Sequence, residues 1–197
     1  MKMKHTHSVF VRPAKAMIHM LAWSMLFLVL GCVALPEGIT PVGDFELQRY
    51  LGRWYEIARL DHSFERGLVN VTAEYALEED SRVRVINKGY RPAKETWEIA
   101  QGVAAFVGAT DVGRLKVSFF GPFYGGYNII ALDKVNYDYA LICGPSRSYL
   151  WILAREPQLD PAVTEALVTR AQALGFATEE LIMVDQTPVG PLFGNDG

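Results

Sequence analysis

Tyr50-Leu51-Gly52-Arg53-Trp54-Tyr55-Glu56-Ile57-Ala58-Arg59 opens the first strand of the chain, and its reading decides the fold. Gly52 lets the backbone enter the strand from a tight approach, where a Cβ is unwelcome. The indole of Trp54 then caps whatever the strand encloses. At least six further runs downstream read as strands, followed by one helical pattern and a short last strand. This order predicts an all-β protein, a closed antiparallel barrel carrying one packed helix.

Alternation supplies the inside and the outside, because strand faces swap at every residue. In Asn70–Leu77 the odd positions are Val71, Ala73, Tyr75 and Leu77, and the even ones include Asn70, Thr72 and Glu74. Arg82–Lys88 splits into Val83, Val85 and Asn87 against Arg82, Arg84 and Ile86. Arg114–Phe120 splits into Leu115, Val117 and Phe119 against Lys116 and Ser118. One apolar face and one mostly polar face per run fit a sheet curled round an apolar interior. Trp97–Phe106 breaks the pattern, with Trp97 and Phe106 on opposite faces, which predicts a bulge. Turns at Glu79-Asp80-Ser81, Arg91-Pro92-Ala93-Lys94 and Gly121-Pro122 separate these runs. Tyr127–Leu132, Tyr139–Cys143 and Tyr149–Arg155 complete the sheet, and the short connections predict up-and-down pairing.

Asp160-Pro161 signals a helix start, N-cap then N1. Val163, Leu167, Val168, Ala171 and Leu174 form one apolar stripe, and Gly175 ends it. Arg170 is the only basic residue near the stripe, so the helix is expected against the outside of the sheet. Leu181–Val184 reads as a short closing strand, and residues 187–197 as a disordered tail.

Residues 1–15 are polar and basic, and Ala16–Leu30 is almost wholly apolar, the pattern of a secretory signal. The ending Leu28-Val29-Leu30-Gly31-Cys32 resembles a lipoprotein processing site. That resemblance implies a signal peptide over 1–31, acylation of Cys32 with three fatty chains, and a membrane anchor. Residues 32–43, with Pro36, Gly38 and Pro41, then read as the lipidated N-terminus and a flexible tether, ahead of a domain at 44–186. Cys143 is expected as a small buried apolar residue. Without acylation of Cys32, a Cys32–Cys143 bridge stays open. The chain holds 19 basic and 22 acidic side chains. Four of the basic ones, Lys2, Lys4, Arg12 and Lys15, fall in the signal, so the remainder carries −7. Such a domain has no electrostatic reason to bind nucleic acid.

Taken together, the residues resemble the lipocalin family and its bacterial lipoprotein branch. The likeness rests on Gly52-x-Trp54, Asn136-Tyr137-Asp138-Tyr139 and Arg155. The bacterial branch adds Asp61-His62-x-Phe64-Glu65-Arg66-Gly67, Val85–Tyr90 and Ser118–Asn128. It implies an eight-stranded barrel closed at one end, with Arg155 packed across Trp54, a cation–π contact. It also implies carriage of lysophospholipids or fatty acids on the periplasmic face of a bacterial outer membrane. Val33, rather than an aspartate, following Cys32 favours that membrane. One departure is Asn136-Tyr137-Asp138, where many members carry Thr-Asp-Tyr.

Inward parity then assigns Ala58, Ala73, Tyr75, Val85, Val117, Phe119, Tyr149 and Trp151 to an acyl chain, with Glu56 and Asn87 as polar wall residues. His62, Arg66, Lys88 and Arg91 are candidates for a phosphate at the rim. After signal removal His62 is the one histidine left, with no nucleophile elbow, zinc cluster or phosphate loop beside it. No enzyme, metal or cofactor is expected. The rival reading is a tethered barrel without cargo, acting as a structural or interaction protein that forms a homodimer.

Overall fold

A computed structural model describes residues 33–79 and 81–189. A four-residue helix, α1 (Leu47–Tyr50), leads into β1 (Gly52–Arg59), β2 (Val69–Leu77), β3 (Val83–Arg91) and β4 (Thr96–Phe106). Then follow β5 (Arg114–Phe120), β6 (Phe123–Leu132), β7 (Tyr139–Cys143) and β8 (Leu150–Ala154). Helix α2 (Pro161–Ala173) and β9 (Ile182–Met183) end the domain. Each strand from β2 to β7 pairs antiparallel with its successor, and β1 lies between β8 and β2, closing an eight-stranded barrel. The connections β1–β2, β3–β4, β5–β6 and β7–β8 form one end. The others, with α1, form the opposite end.

β1 changes partners along its length. Gly52–Tyr55 pair with β2, whereas Ala58 and Arg59 pair with β9, which takes the edge that β2 has left. On the other edge the β8 register passes from Glu56↔Leu153 to Ala58↔Ile152, so Ile57 is the extra residue of a bulge. An extra residue flips every side chain after it to the opposite face. Trp54 and Glu56 therefore point into the barrel, Ala58 points out, and Arg59 points in again.

The bulge expected in β4 is absent. Its register with β3 runs unbroken from Val83↔Ala104 to Arg91↔Thr96. Trp97 lies outside, edge-on to Tyr90 at 5.4 Å between centroids. The alternation is hard to read because the inward residues here are small, Ala100, Gly102 and Ala104. A Cβ at Gly102 would stand 2.6 Å from the Ser118 carbonyl and 2.8 Å from the Phe119 ring. Backbone cannot yield as a flexible side chain does, so Gly102→Ala is expected to cost about 1–3 kcal/mol. A fall in denaturant midpoint at constant slope would show it, and an unchanged midpoint would contradict it.

Two cores flank the barrel wall. The outer one lies under α2, where Leu167 and Ala171 are buried against Ala58, Leu141 and Ile152. Asp160 caps α2 by accepting from the Ala162 amide at 2.7 Å. At the other end the Gly175 and Phe176 amides bond back to the Gln172 and Ala171 carbonyls, at 2.9 and 3.2 Å. Gly175 sits at φ +81°, the left-handed conformation that closes such a motif.

Residues 33–43 are not a free tether. The Val42 amide donates to the Ile129 carbonyl and the Val42 carbonyl accepts from Gly113. Arg147 Nη2 donates to the Glu37 carbonyl at 2.6 Å, and Ile39 is buried in the outer core. Ile39 and Leu35 supply apolar anchors that turn residues alone conceal. The tail is likewise pinned at its start, since Thr187 accepts from Asn70 Nδ2 at 2.8 Å. Gln186 Nε2 bridges the Glu56 and Val71 carbonyls where β1 and β2 part. Residues 1–32 and 190–197, including Cys32 and most of the expected tail, lie outside the described residues. β6 begins at Phe123 rather than Tyr127, because Gly125 and Gly126 pair with β5. Leu77, expected inside, is exposed at the barrel's end.

A binding chamber closed below and open above

At the closed end Trp54 has no solvent exposure, and its Nε1 donates to the Tyr50 carbonyl at 2.8 Å. The Arg155 guanidinium lies 4.0 Å from the indole centroid and donates to the Tyr137, Arg53 and Arg49 carbonyls. Gly52 has φ +92°, while a Cβ there would meet only Arg155 Nη1 at an ordinary 3.5 Å. Backbone conformation, not crowding, is what calls for glycine. The departing Asn136-Tyr137-Asp138 turn is held by Asp133, whose carboxylate accepts from the Val135, Asn136 and Asp138 amides. Tyr137 is buried at φ +63° and accepts from the Glu46 amide.

Above this floor lie two adjoining chambers, an inner one of about 100 Å³ and an outer one of about 610 Å³. Glu56, Ala73, Tyr75 and Val85 line the inner chamber, and Tyr149 the outer. Asn87, Val117, Phe119 and Trp151 line both. Ala58 does not take part: the Ile57 bulge turns it into the outer core under α2.

Alternation missed several wall residues. Phe64 and Glu65 border both chambers, yet they belong to the β1–β2 connection, where period two carries no information. Tyr50 and Tyr127 reach the inner chamber and meet Tyr75 there. Tyr127 Oη lies 2.7 Å from Tyr50 Oη and 2.8 Å from Tyr75 Oη. Burial pushes all three phenols above their ordinary range. The aromatic run Phe119–Tyr127 was the available signal.

Arg59 is the larger omission. The bulge swings it inward, where it is buried with Nη1 2.6 Å from Glu56 Oε1 and Nη2 donating to the Glu65 and Leu68 carbonyls. Glu65 accepts from Trp151 Nε1 at 3.0 Å. His62 Nε2 also approaches Glu65 Oε2 to 3.0 Å, off the N–H axis, so this is a close polar contact and not an aligned hydrogen bond. Burial, then the Glu65 carboxylate, push the Glu56 carboxyl well above the ordinary range, against the pull of Arg59. Burial also acts to raise Glu65, but His62, Trp151 and Arg59 outweigh it and hold Glu65 low.

The four rim candidates have other partners. His62 is buried and stacked on Phe64 at 3.9 Å. Arg66 pairs with Asp61, Arg91 with Glu98, and Lys88 sits over the Trp97 ring. Cys143 is buried with a free thiol, which burial pushes up to about 11. Among the described residues, no group of three or more His, Cys, Asp or Glu side chains is placed to hold a metal.

The geometry has known counterparts. The family model for a lipocalin-like domain matches residues 45–186. Outer membrane lipoprotein Blc of Vibrio cholerae is 48% identical over 167 residues, covering 82% of this chain and 98% of that protein. The Escherichia coli protein of the same name is 52% identical over 162 residues, covering 81% and 91%. Among solved structures, insecticyanin from the tobacco hornworm superposes with a TM-score of 0.64 at 20% identity, over 79% of this chain and 88% of that one.

Proposed function

The chain belongs to the lipocalin family, and from that premise we propose that it is an outer-membrane lipoprotein that stores or carries a lysophospholipid or fatty acid. One observation carries the reading: an apolar hollow of about 610 Å³, open at one end, with a narrower chamber beneath it. That volume lies within the range of about 300–1,000 Å³ typical of small-molecule sites. Ala73, Val85, Val117 and Phe119 offer an acyl chain no hydrogen-bonding group. Asn87 Oδ1, buried without a donor, and the Glu56–Arg59 pair offer polar contacts part-way along. The similarity to relatives named outer membrane lipoproteins supports the location, with residues 1–31 as signal and Cys32 as the acylated residue.

The site reads as one for binding: His62 packs on Phe64 and Trp151 and lies 3.0 Å from the Glu65 carboxylate, away from any nucleophile motif. Native mass spectrometry of protein purified without detergent tests the reading, with one co-purified acyl species per barrel as the expected result. An empty barrel that also refuses a fluorescent fatty acid would overturn it and favour a structural or dimeric role. Val117→Trp, at the junction of the two chambers, is expected to weaken fatty-acid affinity at least about tenfold, about 1.4 kcal/mol, while the fold persists. Unchanged affinity would mean that the ligand sits elsewhere.

A further inference from the structure

Three phenols line the inner chamber, and they cannot all satisfy one another. Tyr50 comes from α1, Tyr75 from β2 and Tyr127 from β6. Tyr127 Oη stands within hydrogen-bonding distance of both other hydroxyls, which makes two bonds. Each phenol carries one proton, and burial keeps all three from losing it at neutral pH. Three protons and two bonds leave one O–H over, whichever way the chain of hydroxyls runs. Among the described residues neither Tyr50 nor Tyr75 has a second hydroxyl partner, so that proton is left for whatever enters the chamber. The rings are held in place, with Tyr50 packed 4.6 Å from Trp54 and 5.4 Å from Tyr75 between centroids.

The wall above shows the opposite need. Asn87 Oδ1 is buried there without a donor. Charge answers neither group. No lysine or arginine lines the inner chamber, and Arg59 is committed to Glu56 and two carbonyls. An anionic group would therefore meet the Glu56 and Glu65 carboxyls with no free cation beside them. An ammonium has protons to donate and no lone pair for the phenol. A bare methyl end would leave the phenol and the amide oxygen desolvated and unpaired. A hydroxyl is small and uncharged, and it both accepts and donates. It suits a chamber of about 100 Å³ with a donor at its floor and an acceptor on its wall.

We propose that the inner chamber is a hydroxyl-binding subsite: the lipid that enters it carries a hydroxyl at its leading end, which accepts from the Tyr50–Tyr127–Tyr75 chain and has Asn87 Oδ1 as the acceptor on the wall. The subsite rests on the carrier reading above and sharpens it. The hydroxyl sits either at the far end of an acyl chain or on a glyceryl group. A few convergent polar groups in an apolar pocket set orientation and specificity in this way.

Displacement of a fluorescent fatty acid from the full chain tests it. The competitors are ω-hydroxy fatty acids of increasing length, each beside the plain acid of the same length. The affinity ratio of hydroxy to plain acid is expected to rise at least about tenfold at one length, relative to chains too short to reach the floor. Monoacylglycerols beside the methyl esters of the same acids test the glyceryl source, and a preference confined to that pair assigns the hydroxyl to the headgroup. Ratios flat with length in both series would overturn the subsite and leave the carrier. In the triple variant Tyr50→Phe, Tyr75→Phe, Tyr127→Phe the preference is expected to vanish while plain acids bind at least as tightly. A preference that survives the triple variant would overturn the assignment to the phenols. Where that variant fails to fold, Asn87→Leu replaces it, with a severalfold fall in the ratio expected and an unchanged ratio counting against the subsite. Refusal of every competitor and of the fluorescent acid itself would sink the carrier and the subsite together.

Discussion

Trp54→Ala is expected to lose about 3–5 kcal/mol of stability, among the largest losses from any single substitution in the barrel. The indole is fully buried, so truncation removes its contacts and leaves a hole at the point where α1, β1 and the closed end meet. Three other groups lose their partner at once. The Tyr50 carbonyl loses the indole N–H, the Tyr50 ring loses a neighbour at 4.6 Å, and the Arg155 guanidinium loses the surface beneath it. The cation–π stack alone amounts to about 1–2 kcal/mol in such a half-desolvated setting, so the cavity dominates. Arg155→Ala is accordingly expected to cost less than Trp54→Ala, even though it deprives three carbonyls of a donor. Urea unfolding at constant slope measures both. A loss under about 1 kcal/mol for Trp54→Ala would mean that the closed end refills itself, contrary to this account.

The second large effect is expected at Arg59. Breaking a buried ion pair by removing one partner typically costs about 3–5 kcal/mol, because the remaining charge is stranded. Arg59→Met frees the Glu65 and Leu68 carbonyls at any pH and, where Glu56 is ionised, strands its charge as well. Adding Glu56→Gln to Arg59→Met is expected to recover a good part of that loss, since no carboxylate then remains beside the vacancy. If the double variant is as unstable as the single one, the cost lies in packing and not in charge.

Glu56 also sets a pH dependence. Its carboxyl binds a proton more tightly in the folded state than in the unfolded chain, because burial and Glu65 disfavour the ion. Stability from this group is therefore complete below the ordinary carboxylate range and is lost as pH rises through the raised value. Glu65, held low, acts in the opposite sense, its contribution falling away as pH drops. Glu56→Gln is expected to abolish the decline on the alkaline side while leaving the acid limb in place. Unfolding free energies measured from about pH 4 to pH 9 would show this, and an unaltered profile would assign the decline to another group.

Much of the wall was legible because a two-residue period carries through a strand unless something interrupts it. Val71, Ala73, Tyr75, Val85 and Asn87 follow that period and line the chambers. The period fails where one extra residue enters. Nothing about Glu56-Ile57-Ala58-Arg59 announces a bulge, since each of the four suits either face. Only the pairing with β8 and β9 shows that Ala58 belongs under the helix and Arg59 inside. The opposite error arose in β4, where Trp97 and Phe106 on opposite faces predict a bulge, yet the register is unbroken and Trp97 lies outside against Tyr90. Connections carry no period, which is why Phe64 and Glu65 went unread.

By itself, then, the sequence determined the strand count, the closure into a barrel, the helix with both its caps, and the Gly52–Trp54–Arg155 floor. The first three follow from local periodicity and turn chemistry, which are written in neighbouring residues, and the floor from the resemblance to the lipocalin family. The tertiary structure alone decided which way Arg59 points and that residues 34–42 grip the wall. It also decided that the β1–β2 connection borders the cavity. Each depends on contacts between segments far apart in the chain, where burial and hydrogen-bond satisfaction, not local preference, set the outcome.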